Sequence, residues 1–222
     1  LVTVIRSLAA VGAVFTASCA QAQDGRATAA PESACALAKQ RFETFIAHTP
    51  PGDVRNALSA EWLSLPQDRD ALAGLLAQSG RERGPDAPFA MGYRPDFARS
   101  VEALTDADID RVHVNLTRLG AITCAGVDTT DEPFTEDLAG FNAWAEGQMM
   151  NPDPGAPEGA QSLALSRPVI FDGGGRALVA ESYSYTPIPL SRPPSAMVTL
   201  NVYRRDGAAW VREASIVVAR SG

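Results

Sequence analysis

Met197-Val-Thr-Leu-Asn-Val-Tyr-Arg-Arg-Asp-Gly-Ala-Ala-Trp-Val-Arg-Glu-Ala-Ser-Ile-Val-Val-Ala219 is the stretch that decides the fold. Val198, Leu200 and Val202 alternate with Thr199, Asn201 and Tyr203, so a strand over 197–205 has one dry face and one polar face. Asp206-Gly207 is a tight-turn pair, and residues 210–219 return as a second strand. Such one-sided patterning belongs to an antiparallel sheet with a core on one side. Upstream, Asp172-Gly173-Gly174-Gly175 joins a strand over 162–171 to another over 176–185. Pro168 lies inside the first of these and marks an edge or a bulge. A Pro-rich loop over 186–195 links the two hairpins. The C-terminal part is therefore a meandering antiparallel sheet.

Helical spacing dominates before it. Cys35, Ala38, Phe42, Phe45 and Ile46 form one stripe over 32–48, and Pro50-Pro51-Gly52 ends it. The pattern predicts further short helices over 54–65, with Leu58, Trp62 and Leu65 on one side, and over 68–78, with Leu72, Leu75 and Leu76. Residues 79–96 form a Gly- and Pro-rich loop. Thr105 followed by Asp108 is a capping box that starts a short helix over 105–112. Alternation over 112–119 and an apolar run over 121–127 predict two strands, and Leu138, Phe141, Trp144 and Ala145 predict a helix over 134–148. The expected fold class is α+β, with N-terminal helices packed on the C-terminal sheet. Residues 32–222 make a single domain, preceded by a disordered leader over 23–31.

The first 22 residues carry the three parts of a secretory signal. Arg6 supplies the positive charge, residues 8–17 an uncharged stretch, and Ala20-Gln21-Ala22 a small-x-small site for cleavage before Gln23. That stretch is too short to span a bilayer, which takes about 20 residues, and no other stretch of the sequence approaches that length. Thr16-Ala17-Ser18-Cys19 also loosely resembles a lipobox, which leaves acylation of Cys19 as an alternative maturation. Eighteen Arg against one Lys, Lys39, is the usage of a GC-rich bacterium, so export implies the periplasm. The formal charge of −7 offers no footprint for nucleic acid or anionic lipid.

Loss of Cys19 with the signal leaves Cys35 and Cys124. In an oxidising compartment an even pair reads as a disulfide, against the alternative of two separate buried thiols.

Residues 165–179, Leu-Ser-Arg-Pro-Val-Ile-Phe-Asp-Gly-Gly-Gly-Arg-Ala-Leu-Val, and residues 202–211, Val-Tyr-Arg-Arg-Asp-Gly-Ala-Ala-Trp-Val, resemble a group of uncharacterised exported bacterial proteins. The same ending is similar to the last strands of NTF2-like domains, whose cone-shaped sheets hold small ligands or dimerise. The resemblance brings no catalytic residues with it.

Sites of other kinds find little footing. His48 and His113 fall in no ligand-spaced motif, and Asp106, Asp108 and Asp110 open like a calcium loop but lack its glycine and its final acid. No G-x-S-x-G elbow or phosphate loop is present. Neither metal nor cofactor is expected. Glu181, Tyr183 and Tyr185 share one face of a strand, and Asn201 and Tyr203 a face of its expected neighbour. Aromatic and polar groups together suit a sugar, peptide or small polar ligand; the alternative is the covered or solvated side of a sheet. The expectation is a non-enzymatic exported protein that binds a small ligand or an envelope partner. An envelope hydrolase and a structural or assembly subunit are the alternatives.

Overall fold

The computed structural model describes residues 32–48, 53–65, 68–78, 95–118, 120–191 and 193–221. The signal residues, with Cys19, Ala20, Ala22 and Gln23, the leader over 23–31 and most of the loop over 79–96 lie outside the described residues.

The C-terminal strands form where the alternation placed them, and run longer. They are β5 (Arg176–Pro187), β6 (Ser195–Asp206) and β7 (Ala209–Ser221). All three pair antiparallel in sequence order. Gly207 turns β6 into β7 at a φ of 60°, a conformation that glycine adopts without the Cβ clash met by other residues. The strand expected over 162–171 is two strands, β3 (Gly159–Leu165) and β4 (Val169–Phe171), both paired with β5. Ser166 bridges the break: Ser166 N–H donates to Ala180 O, and Ala180 N–H to Ser166 Oγ. Pro168 falls in that break, as its missing N–H requires.

The fold class is α+β, with helices first and the strands β5 to β7 last. The sheet is nevertheless mixed rather than wholly antiparallel. Residues 54–65 do not form a helix. β1 (Val54–Ser59) inserts parallel to β3, and a two-residue strand, β2 (Phe134–Thr135), lies parallel on its far side. The order is β2-β1-β3-β5-β6-β7, with β4 beside β5. A strand between two others has both faces covered and loses the period-2 polarity that identifies an edge or one-sided strand. Ala57, Leu58 and Ser59 are consecutive and all buried, so the wider spacing of Leu58, Trp62 and Leu65 gave the stronger, misleading signal.

Among the described residues, five helices flank this sheet. They are α1 (Glu32–Ala47), α2 (Arg69–Gln78), α3 (Pro95–Val101), α4 (Asp106–Thr117) and α5 (Leu138–Met150). The Thr105–Asp108 capping box starts α4 as expected, but the helix runs on to Thr117. The strand expected over 112–119 is thus helical as far as Thr117: Val112 and Leu116, four apart, bury one face, while Val114 stays half-exposed. The run over 121–127 contributes one bridge, Ala121 to Glu61, rather than a strand. α5 starts at Leu138, later than the expected 134, because Asp137 caps it by accepting from Gly140 N–H.

One sheet face packs against α1. Cys35, Leu37, Ala38 and Phe42 meet Leu58, Leu163, Leu165, Val179 and Tyr203 there. On the opposite face Leu72, Phe97, Val112 and Leu116 of α2 to α4 meet Leu178, Leu200, Val202 and Ile216. At the β1–β3 end of that second face, Ala145 of α5 packs on Ala160 and Ile188. Cys35 and Cys124 are joined by a disulfide, with Cα atoms 5.2 Å apart. No helix among the described residues is long and apolar enough to cross a membrane.

Candidate functional site

The register fixes which side chains meet. Glu181, Tyr183 and Tyr185 of β5 stand opposite Thr199, Met197 and Ser195 of β6, and Val179 and Ala177 stand opposite Asn201 and Tyr203. All five residues singled out in the sequence therefore share the face that carries α1. The helix covers only part of it, and its edge divides the set in two.

Beneath α1 lie Glu181, Asn201 and Tyr203, all buried. Arg41 comes down from the helix beside its apolar stripe. Its Nε donates to Glu181 Oε1 at 2.9 Å and its Nη2 to Oε2 at 3.0 Å. Tyr203 donates its hydroxyl to Glu181 Oε1 at 2.6 Å, and the Arg41 guanidinium sits 5.6 Å from the Tyr203 ring centre. Burial pushes the Tyr203 phenol far above its usual range, and the Glu181 charge adds to that, so it stays protonated and donates. Burial opposes the Arg41 charge, but the Glu181 carboxylate outweighs it and the guanidinium is held more tightly protonated than usual. A bidentate Arg–carboxylate pair at such depth orients α1 on the sheet. Gln40, one residue earlier, does the same at the sheet edge. Its Nε2 donates to Trp210 O at 2.6 Å and its Oε1 accepts from Trp210 N–H at 2.8 Å.

Asn201 donates from Nδ2 to Thr199 Oγ1 at 2.8 Å. Its Oδ1 is buried without a hydrogen-bond partner among the described residues, as is Trp62 Nε1.

Tyr183 and Tyr185 lie toward the C-terminal end of α1 and are half-buried. Tyr183 donates its hydroxyl to Gln161 Oε1 at 3.3 Å, and Gln161 Nε2 donates to Asn56 Oδ1 at 2.7 Å. Phe45, near the C-terminal end of α1, meets the Tyr183 ring edge-on at 6.1 Å between centres. Tyr185 lies over Gly159, where an added Cβ would fall 2.9 Å from its hydroxyl; the ring's position depends on that glycine. The result is a row of phenols and amides across β1, β3 and β5: Asn56, Gln161, Tyr183 and Tyr185.

Sequence reasoning missed Arg41, Asn56, Gln161 and Phe45. Only the adjacency of β3 to β1 and β5 brings Asn56 and Gln161 to this face, and only the docking of α1 brings Arg41 and Phe45. Among the described residues no group of three His, Cys, Asp or Glu is placed to hold a metal ion. Asp108 and Asp110 of the calcium-like run are engaged locally, Asp108 with Thr105 and Arg111 and Asp110 with Arg69. His48 Nδ1 lies 2.7 Å from Thr44 O at the end of α1.

No protein-family model, curated protein or solved structure matches this chain.

Proposed function

We propose that this is an exported, non-enzymatic protein that binds a small polar ligand on the row formed by half-buried Asn56, Tyr183 and Tyr185 around buried Gln161. The observation that carries this reading is the row itself. Its phenols and amides lie side by side on one sheet face, next to Phe45 near the C-terminal end of α1. Rings give a flat surface for a sugar or a peptide group, and amides and hydroxyls offer both donors and acceptors. Glu181 and Tyr203 serve differently, as the clamp that orients α1. The hydrolase alternative would need an acid or a serine in a cleft, and Glu181 is committed elsewhere, giving its oxygens to Arg41 and Tyr203.

Export is supported by the signal-like residues over 1–22 and by the Cys35–Cys124 bridge, which an oxidising compartment preserves. The similarity of the last strands to NTF2-like domains is in keeping with ligand binding on a sheet. Saturation-transfer NMR against envelope saccharides and short peptides tests the binding. A hit that is lost in Tyr185→Ala and Asn56→Ala, with thermal midpoints unchanged, supports it; a panel without hits, or hits indifferent to both variants, overturns it. Intact mass of the purified protein tests export, with a disulfide-bonded chain beginning at Gln23 as the expected species. An acylated chain beginning at Cys19 would keep export and replace the soluble form by an anchored one.

A further inference from the structure

The opposite face of the same strands carries a second group of planar side chains. Arg55 of β1 stands in register beside Ala160 of β3, on the side where α5 packs. Its guanidinium carbon lies 4.6 Å from the Trp144 ring centre and 6.0 Å from that of Phe141. The two rings are 5.6 Å apart and tilted at 42°. Trp144 and Phe141, three residues apart on α5, are half-buried against the small apolar cluster of Ala145, Ala160 and Ile188. Arg55 itself is exposed.

Among the described residues, the charge of Arg55 is answered by rings alone. Arg41, Arg69, Arg99, Arg111, Arg176 and Arg204 each have a carboxylate within 4.0 Å, and no ion pair among the described residues involves Arg55. An aromatic face attracts a guanidinium but does not take up its five N–H groups in the forked geometry that matches a carboxylate. Stacking also restrains the side chain, so less freedom is lost when the fork is used.

We propose that Arg55, Trp144 and Phe141 form a binding site for a small carboxylate with a flat apolar body. Arg55 takes the carboxylate through two N–H groups, and the body lies along Trp144 and Phe141. The chain's net charge of −7 favours a single small anion over an acidic polymer, whose further charges would meet repulsion. This site is on the other side of the sheet from the Tyr185 row, so either can fail alone.

Phenylacetate is the probe, and phenylacetamide its uncharged isostere. The readout is the three indole N–H signals in an NMR titration, assigned by Trp144→Phe. The Trp144 signal is expected to shift saturably with phenylacetate, with binding about tenfold or more weaker for phenylacetamide, the loss expected when a charge-assisted pair is removed. Arg55→Gln should weaken phenylacetate by about the same factor, and Arg55→Lys should restore only part of it because the charge returns without the fork. Unaltered thermal midpoints would show that both variants are folded. A shift that does not saturate, equal binding of the two probes, or full affinity in Arg55→Gln would each overturn the proposal.

Discussion

Asp108 shows how a single residue here couples local structure to pH. It is buried at the third position of α4, where its carboxylate accepts from the Thr105 N–H at 2.9 Å and the Thr105 hydroxyl at 2.7 Å and pairs with Arg111. Burial alone would raise its pKa. The Thr105 bonds, followed by Arg111, outweigh that and hold it below the usual carboxylate range. A folded-state pKa below the unfolded one adds stability above the unfolded value, near 3.8, and that stability is lost as pH falls through the lower folded value. Wild type should therefore exceed Asp108→Asn by about 1 kcal/mol near neutral pH, the usual worth of a helix-start contact. The gap should begin to narrow only as pH falls below about 4, and close once pH is below the folded value. Urea unfolding of both proteins at neutral and acid pH measures this, and a gap of constant size would reject it. The capping pair was legible in the sequence because both partners lie within one turn. Glu181 was legible only as a candidate, since its partner Arg41 is 140 positions away.

At the scale of elements, the same rule separates what could be read from what could not. α1, α2 and the strands β5 to β7 carry their own periodicity, and each formed near its expected bounds. β1 and the end of α4 did not, because neighbours rather than propensity decide them: β1 by pairing between β2 and β3, α4 by burying Val112 and Leu116. The Cys35–Cys124 bridge belongs to this scale as well. It fastens α1, which has no backbone ladder to the sheet, to the irregular segment over 120–135, whose backbone bonds run to β1 and the residues just after it. It closes a separation of 89 residues, and chain entropy assigns such a loop about 4–5 kcal/mol, with measured removals costing about 2–5. Reducing the wild-type protein should lower its urea midpoint accordingly, and Cys35→Ala with Cys124→Ala should unfold at the reduced midpoint and ignore reductant. Equal midpoints for oxidised and reduced wild type would show that the bridge leaves the unfolded chain unconstrained.

The whole molecule is a sheet covered unequally, and that inequality predicts where it opens. β5 and β6 have a partner on each side and an apolar cluster on each face. Among the described residues β7 ends the sheet order and pairs only with β6, through a ladder interrupted where Glu213 and Val218 are left out of register. Bulges of this kind twist an edge and discourage another chain from adding to it. Among the described residues, the outward backbone groups of Trp210 are taken up by the amide of Gln40. Native-state hydrogen exchange should therefore find the amides of β5 and β6 opening only with global unfolding. In β7 from Arg212 to Arg220 the outward amides should exchange far sooner, while Trp210 remains protected among them. Gln40→Ala should release the Trp210 amide and leave β5 and β6 unchanged. If instead the outward amides of β7 exchange as slowly as those of β6, and more slowly as protein concentration rises, the edge is paired with a second chain in solution. The bulges would then shape an interface rather than prevent one.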